Sequence, residues 1–430
     1  MDPVLNSGDT AWMLVSSLLV LMMTLPGLAL FYGGLVKKDN VLATLMQSLA
    51  VCALISVAWP VIGYSLAFSD GNAWIGGIDK FMLAGVTPSA LVGTIPESVF
   101  IMFQMTFAII TTALLVGAVA DRIKFTALLI FTPLWMLCVY VPIAHWVWGP
   151  AGLLGGLGTE NFTGILGYGA ALDFAGGAVV HINSGVAGLV AAIVLGRSLM
   201  GDKSPSTSNN LVMSVIGTGL LWVGWFGFNA GSALTAGTSA GYAMLVTNAA
   251  AGISAVVWIL LELMHKKKAS VAGALSGVVA GLVAITPAAG FVDFSASLCI
   301  GLVSGIGCYI SVNMMKQCLK YDDALDVFSL HGVGGIIGAL LTGVFANPDI
   351  GPASGLLYGN PSQLMAQLIS ILVVASYSAV VTFILLMFVR LFTRLRVHPV
   401  VEYRGLDLAL HGETVPDAPR GKTLRTNLAA

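Results

Sequence analysis

The sequence predicts an all-α integral membrane protein that crosses the bilayer eleven times. Of its 430 residues, 57% are hydrophobic and only 9% are charged, too few charges to cover the surface of a soluble protein of this length. Eleven apolar segments each have close to the roughly 20 residues, or more, that a helix needs to cross a bilayer. The Lys and Arg residues collect on one side of these segments, which gives the chain a defined orientation.

The eleven segments follow one another through polar or glycine-rich connections. The first has no basic residue before it and continues without a small-residue cleavage site into Phe31-Tyr32-Gly33-Gly34. We therefore expect a retained helix and not a signal peptide. The predicted spans cover about residues 11–34, 41–68, 96–119, 125–147, 176–196, 211–234, 239–263, 270–288, 294–315, 327–346 and 365–392.

The basic residues predict the orientation of these spans. With eleven spans, 18 of the 19 Lys and Arg residues lie on one side and only Lys80 lies on the other. The positive-inside rule makes the basic side cytoplasmic, with the N-terminus outside and the C-terminus inside. A wrong number of spans would scatter these charges, so the asymmetry also supports the count. Residues 1–392 are then the transmembrane domain and residues 393–430 a cytoplasmic tail.

Charge and cysteine usage argue against several kinds of partner. The net charge is −1, and once the cytoplasmic basic residues are explained by topology no basic surface is left for nucleic acid. The run Lys266-Lys267-Lys268 is interpreted as a topology anchor in preference to a lipid or partner site. Five cysteines lie in or near spans without C-x-x-C spacing, which indicates packing residues and neither disulfides nor a metal cluster.

Two histidines lie deep in apolar spans at matching places in the two halves of the chain. His181 is in the fifth span and His331 is in the tenth. The odd number of five spans between them predicts an inverted 5+5 repeat, with the eleventh helix outside it. Inverted repeats place a substrate site near the middle of the bilayer, and ionisable groups at that depth mark a substrate or proton path. The pattern favours a transport protein.

Five segments from the first span to the tenth have distinctive motifs. They are residues 26–34 (Pro-Gly-Leu-Ala-Leu-Phe-Tyr-Gly-Gly), 144–149 (Ala-His-Trp-Val-Trp-Gly), 173–183 (Asp-Phe-Ala-Gly-Gly-Ala-Val-Val-His-Ile-Asn), 224–232 (Gly-Trp-Phe-Gly-Phe-Asn-Ala-Gly-Ser) and 326–332 (Asp-Val-Phe-Ser-Leu-His-Gly). In these segments the chain resembles the ammonium transporter family (Amt/Mep/Rh), and the resemblance extends over essentially its whole length. It implies a homotrimer of eleven-helix protomers, each with a narrow pore for ammonium or ammonia and with methylammonium as a second candidate substrate.

The resemblance assigns an outer recruitment site and a gate. Ammonium is a small cation that donates hydrogen bonds, so aromatic faces and a hydroxyl acceptor suit it. The matching recruitment residues are Trp148 and Ser232, with Phe103 and Phe107 nearby, and the matching gate is formed by Phe107 and Phe228. Phe103 and Phe107 are four residues apart, which places both on one helical face. Trp148 and the segment up to Ser232 favour the ammonium (Amt) branch over the Rh branch.

The resemblance also makes His181 and His331 a twin-histidine pore. A bare cation in an apolar pore is far more costly than neutral ammonia, which favours deprotonation at the gate, and imidazoles can relay that proton. Two neutral ligands are too few for a zinc or iron site, so neither metal nor cofactor is expected. Asp173 matches a buried aspartate of the family and either stabilises the cation or caps a helix; Asp326 is interpreted as mainly structural.

Two other kinds of protein remain as alternatives to a transporter. One is an ammonium sensor that signals through a separate partner, because the tail after residue 393 is too short for a signalling domain. The other is an intramembrane enzyme, for which the sequence has no G-x-S-x-G or H-E-x-x-H pattern. The tail segments Tyr403–Asp407 and His411–Glu413 resemble the family's regulatory segment, which implies contact with the inner face and, in prokaryotes, a PII-type protein as partner.

Overall fold

The computed structural model of the chain describes residues 4–155, 167–199, 209–315, 318 and 320–415. Each of the eleven predicted spans corresponds to an apolar helix within these residues. The helices are α1 (Ser7–Leu35), α2 (Lys38–Phe68), α3 (Glu97–Val119), α4 (Phe125–Trp148), α5 (Gly177–Leu195), α6 (Leu211–Gly231), α7 (Thr238–Lys266), α8 (Val271–Ile285), α9 (Phe294–Met314), α10 (Phe328–Phe345) and α11 (Pro361–Arg390). Between α2 and α3 a short antiparallel hairpin pairs β1 (Leu91–Val92) with β2 (Ile95–Pro96).

Ten of these helices are long enough to cross a bilayer, and α8 is the short one. The prediction of 270–288 ran past its end, because α8 stops at Ile285 after 15 residues. At 1.5 Å per residue it is only about 22 Å long. Pro287 lies just beyond the end and has no amide hydrogen to continue the helix. The chain then turns through Gly290 before α9 begins.

The helices of the two halves of the chain pack in the same pattern. In the first half α1 packs on α3, α2 packs on α3, and α3 packs on α5. The second half repeats the same contacts between α6 and α8, α7 and α8, and α8 and α10. The halves meet where α1 packs on α6 and where α5 crosses α10, whereas α11 lies against α5 and α10 as an addition outside the repeat.

The segment after α11 folds back onto the ends of α2 and α5. It contains two short helices, α12 (Pro399–Arg404) and α13 (Leu406–His411). The Asp407 carboxylate accepts hydrogen bonds from the amides of Leu42 and Ala43, at 3.1 and 2.8 Å, in the first turn of α2. A carboxylate there satisfies orphan amides and favours the helix dipole. This part of the tail therefore contacts the same face as the basic loops.

A second contact of the tail is an ion pair between Arg396 and Glu402. The guanidinium donates to both carboxylate oxygens, at 2.8 and 2.7 Å, and also to the carbonyls of Leu195 and Arg197. Burial raises the pKa of Glu402, but hydrogen bonds from Arg396, Leu199 and Ser198 lower it more, so the net pKa lies below its ordinary 4.5. Ionised Glu402 therefore stabilises the docked tail at pH values above 4.5. This stabilisation is lost as the pH falls through the pKa that Glu402 has in the docked tail.

We predict that Glu402→Gln loosens the docked tail. A hydrogen bond to a charged group contributes about 2 kcal/mol, so the opening equilibrium of residues 396–411 should rise roughly 30-fold. Hydrogen exchange followed by mass spectrometry measures this as faster deuterium uptake over those residues at neutral pH. Exposed Glu413→Gln is the control and should leave the uptake unchanged. Equal uptake in wild type and Glu402→Gln would contradict the assigned role.

Candidate functional site

The predicted recruitment residues line one cavity at the end of the helix bundle where α4 ends. The cavity has a volume of about 970 Å³. Its wall includes all five side chains that the resemblance assigned to recruitment: Phe103, Phe107, Trp148, Asp173 and Ser232. Lys80 also lies on this wall and forms an ion pair with Glu97, which in turn accepts a hydrogen bond from Tyr64. The negative charge of Glu97 thereby offsets the positive charge of Lys80, which then repels an incoming cation less.

Aromatic rings and one hydroxyl face each other at the base of this cavity. The ring of Trp148 meets that of Phe107 edge to face, with centroids 5.8 Å apart. Its indole N–H donates to the Asp173 carbonyl at 2.9 Å, which fixes the ring against the start of α5. Ser232 donates its hydroxyl hydrogen to the Phe228 carbonyl at 2.9 Å, and both of its lone pairs stay available to accept from a ligand.

The two phenylalanines that the resemblance assigns to a gate stack on each other, with Phe107 in the wall of the cavity and Phe228 behind it. The rings of Phe107 and Phe228 stack with centroids 4.2 Å apart and planes 20° from parallel. Both side chains are buried, and Phe103 packs edge-on against Phe107 at 4.9 Å. No hydrated ion fits between rings at this separation. The outer cavity and the interior below it are therefore separated by two side chains.

Asp173 caps the N-terminus of α5 with its whole carboxylate. Its two oxygens accept hydrogen bonds from four successive amides, those of residues 176–179, at 2.5 to 3.1 Å. Gly176 adopts a φ of 110°, a left-handed conformation that L side chains rarely adopt, and this turn points the amides at the carboxylate. The sequence left two roles open for Asp173, helix capping and stabilisation of the cation. The geometry favours capping, because few lone pairs of the carboxylate remain for a ligand.

Below the gate the two histidines face each other directly. Nδ1 of His331 lies 3.2 Å from Nδ1 of His181, and the rings are 28° from parallel. Each histidine lies in a wide, π-type helical turn, Gly177–Ile182 in α5 and Phe328–Gly332 in α10. Such turns often occur at functional sites. A neutral pair bonded in this way shares one proton, so one Nε2 carries hydrogen and the other is an acceptor.

A small, mainly apolar cavity lies between Phe228 and the two histidines. Its volume is about 10 Å³, around the minimum that holds one water molecule. Among its lining side chains only the two histidines and Trp225 contain a polar atom; the rest are Met23, Leu28, Phe31, Ile110, Leu114, Val180, Leu221, Phe228 and Val279. Nε2 of His181 is buried here without a hydrogen-bond partner. That atom is available to a small molecule that enters from the gate.

A glycine crossing explains how two helices bring the imidazoles together. Gly185 of α5 packs against the backbone of Gly332 and His331 in α10, so closely that a Cβ on Gly185 would overlap the Gly332 amide. Small residues permit such close approach of membrane helices. The crossing lies one turn from His181 and next to His331. The distance between the rings is therefore set by backbone contact.

Sequence reasoning missed three of the residues that shape this site. Trp225 stacks on His181 with centroids 5.4 Å apart, and Thr286 accepts its indole N–H at 2.9 Å. Asp323 caps the turn before α10 by accepting the Phe328 amide at 2.7 Å, next to the Asp326 that the sequence had suggested as a cap. The sequence did offer a signal for Trp225, which lies one turn before Phe228 in the same motif.

His145 lies between two backbone carbonyl oxygens. Its Nδ1 lies 2.9 Å from the Ala67 carbonyl, and its Nε2 lies 2.7 Å from the Asn72 carbonyl. Both nitrogens therefore face backbone oxygens, one in the last turn of α2 and one in the segment after it. Across the part of the chain that the structure describes, no three His, Cys, Asp or Glu side chains group as a metal site would require.

Known proteins similar to this chain match it over almost its entire length. A model described as Ammonium Transporter Family matches residues 11–415. The "Ammonium transporter" of Bacillus subtilis is 49% identical over 413 residues, which is 95% of this chain and 98% of that protein. The structure of Candida albicans Mep2 has a TM-score of 0.83 at 35% identity and covers 92% of this chain and 87% of its own. A "Sensor Amt Protein" has a TM-score of 0.84 at 29% identity, with coverages of 94% and 98%.

Substitution of Asp173 separates its two candidate roles. We predict that Asp173→Ala lowers stability by roughly 2 kcal/mol or more, because four buried amides lose their acceptor. Thermal unfolding of the purified protein in detergent should show a Tm several degrees lower for Asp173→Ala than for wild type. The Tm of Asp173→Asn should lie between these two values. An unchanged Tm with impaired binding of substrate would contradict the capping role and favour an electrostatic one.

Gly185→Ala should force α5 and α10 apart. The added methyl group meets backbone that has no room to move, and overpacking of this kind costs about 1–3 kcal/mol. We expect a lower Tm and slower substrate conduction in proteoliposomes. Gly252→Ala in α7 is the matched control, because a Cβ there meets nothing within 4 Å. If Gly185→Ala and Gly252→Ala change the Tm and the conduction rate equally, Gly185 does not set the spacing of α5 and α10.

Proposed function

Because this chain belongs to the Ammonium Transporter Family, we propose that it recruits ammonium at the outer cavity, deprotonates it at the Phe107–Phe228 gate and conducts ammonia past His181 and His331. The protein is an ammonium transporter of the cell membrane and not an enzyme. The observation that carries the finer proposal is the order in which groups contact one another: an aromatic cavity, two stacked phenylalanines, a small apolar cavity and two facing imidazoles.

Recruitment uses groups that favour a cation over a neutral molecule. The face of Trp148 attracts a cation electrostatically, by about 2 kcal/mol where water is partly excluded. The lone pairs of Ser232 accept hydrogen bonds from ammonium while its own hydrogen stays on the Phe228 carbonyl. Phe103 and Phe107 supply further aromatic surface on the same wall. Ammonium is thus held one layer above the gate.

Desolvation is the reason for a deprotonation step. Transfer of an unpaired ion from water into an apolar interior costs tens of kcal/mol by simple solvation estimates, whereas a neutral polar molecule costs only a few. The cavity below the gate has almost no polar lining to offset that cost. Ammonium can avoid it by leaving a proton behind. An ion such as K⁺ has no removable proton, so the same pore rejects it.

The histidine pair completes the path for ammonia and offers a path for the proton. One Nε2 accepts a hydrogen bond from ammonia and the other donates one, since a single proton is shared between the two Nδ1 atoms. When a proton binds the bare Nε2, the shared proton moves to the other Nδ1 and the proton on the far Nε2 leaves, the two roles are inverted and one proton has passed, as a relay requires. Each imidazole has one nitrogen that accepts a proton and one that donates a proton, which suits it to such transfer.

Assembly and regulation follow from the same family. We expect a homotrimer with one pore in each protomer, and in a prokaryotic cell a PII-type protein that binds the cytoplasmic face and blocks the pore exit. Support for the second expectation is the tail docked beside α2 and α5, at the side where the basic loops lie. Native mass spectrometry of the purified protein tests the trimer, and co-purification with the host's PII protein tests the partner.

Trp148→Leu should weaken recruitment more than it weakens maximal conduction. Loss of about 2 kcal/mol of cation–π attraction raises the half-saturating ammonium concentration about tenfold or more. Initial transport rates over a range of ammonium concentrations measure this effect. Trp74→Leu serves as control, because Trp74 is 61% exposed and lies outside the cavity. A fall in maximal rate at unchanged half-saturation would argue against recruitment by Trp148.

The function is tested by an ammonium pulse on proteoliposomes adsorbed to a solid-supported membrane, with internal pH followed in parallel. A saturable current that is lost in His181→Ala/His331→Ala supports transport with a relayed proton. Internal alkalinisation without current supports conduction of ammonia alone. Empty liposomes and His398→Ala, a histidine of the tail, are the controls. If folded protein gives neither a current nor internal alkalinisation, the proposal is overturned and an ammonium sensor is favoured.

A further inference from the structure

Lys80 is the one basic side chain in the wall of the outer cavity, among the residues that the structure describes. It lies in the loop between α2 and α3, where its amide donates to the Ser65 hydroxyl at 3.0 Å. That hydroxyl in turn donates to the Gly77 carbonyl at 2.9 Å, so the loop is fixed to the last turns of α2. An uncompensated cation at this place would repel the cations that the cavity is proposed to recruit.

The ammonium group of Lys80 lies in a niche that is built as a site for such a group. It forms an ion pair with the Glu97 carboxylate, whose side chain is only 6% exposed. It also lies over the ring of Tyr64, 5.7 Å from the centroid, within the range of cation–π attraction. The Tyr64 hydroxyl donates to the same Glu97 oxygen at 2.7 Å, which fixes the ring and the carboxylate relative to each other. Tyr64 and Glu97 together are called the Lys80 niche below.

The niche is held in place by contacts that do not involve the lysine. Glu97 is the first residue of α3, and its amide donates to the Ala90 carbonyl at 2.8 Å, next to β1. The rings of Phe68 and Phe100 pack on Tyr64 with centroids 5.9 and 6.4 Å away, and on each other at 5.1 Å. Without the Lys80 side chain, the niche would therefore keep its shape and contain a largely buried carboxylate that lacks a cation.

We propose that the Lys80 niche is a second site for ammonium-type cations in the outer cavity, and that the chain fills it with its own lysine. The proposal rests on the proposed function, because a second such site matters only in a cavity that recruits ammonium. A buried carboxylate beside an aromatic face attracts ammonium and primary alkylammonium ions. With Lys80 in place, a free cation finds only the recruitment site at Trp148 and Ser232. Lys80 thus keeps substrate from binding at Glu97 instead of at Trp148.

Chemical rescue of Lys80→Ala tests this proposal. The substitution removes the atoms of a propylammonium ion, and the Tm of the purified protein in detergent should fall by several degrees because Glu97 loses its partner. Propylammonium chloride should raise that Tm in a saturable way, since a ligand that binds the folded state stabilises it. The rise should be at least about twice the rise that the same salt causes in wild type.

Two controls and a second variant accompany this measurement. Tetramethylammonium chloride matches the ionic strength but has no N–H to donate, and it should not rescue the variant. Lys80→Ala/Glu97→Gln lacks the carboxylate, so propylammonium should change its Tm only as much as it changes that of wild type. If Lys80→Ala is not monodisperse, Lys80→Met keeps the aliphatic stem and leaves room for ammonium itself, which is then the probe.

Three results would overturn the proposal. Equal rises of the Tm in wild type and Lys80→Ala would mean that the niche binds no free cation. Equal rescue by tetramethylammonium would mean that ionic strength alone acts. Equal rescue of the double variant would mean that binding does not use Glu97. Because none of these measurements needs conduction, a failed rescue bears on the Lys80 niche alone, whereas absent ammonium currents in wild type bear on the transport function.

Discussion

The close crossing of α5 and α10 is the contact on which the rest of the pore depends. Gly185 meets the backbone of Gly332 without space for a methyl group, and this fixes His181 and His331 with their Nδ1 atoms 3.2 Å apart. The crossing also joins the two halves of the chain, so each half contributes one helix and one imidazole. A side chain at Gly185 would separate the rings, and the shared proton would then have no second nitrogen.

Around this crossing the protein keeps the conducting space apolar by bonding its polar groups elsewhere. The Trp225 indole is held by Thr286, and the Asp173 carboxylate is taken up by four amides of α5. Thr111 and Thr112 donate to carbonyls of their own helix. The histidines are therefore left as the polar groups that a molecule in the cavity can reach. Under the proposed mechanism, selectivity follows from this contrast, because only a substrate able to lose its charge avoids the desolvation cost.

Sequence reasoning reached the architecture because hydropathy and charge act along the chain. The eleven apolar segments and the uneven distribution of Lys and Arg predicted the number of spans. Most predicted helix ends agree with the observed ends within a few residues. The orientation with the N-terminus outside stays a prediction. The family resemblance supplied Phe107, Trp148, Phe228 and the two histidines, which the structure places along one path.

What the sequence could not give depends on how helices pack against one another and on the conformation of individual turns. Gly185 is one of 51 glycines, and only the packing of α5 on α10 shows that it cannot be replaced. The early end of α8 depends on the turn through Pro287, and the role of Asp173 depends on the left-handed Gly176 that points four amides toward it. Asp323 was missed for the same reason, because its partner amide is five residues away across a turn.

The central claim is that the two imidazoles share one proton through their Nδ1 atoms, and ¹⁵N solid-state NMR tests it most directly. Protein labelled with ¹⁵N-histidine in lipid bilayers, compared with His181→Ala and His331→Ala to assign the signals, reports the protonation of each nitrogen. The account predicts one protonated and one bare Nδ1 that are coupled to each other, with the opposite pattern at the two Nε2 atoms. Two uncoupled rings, each protonated only at Nε2, would contradict it.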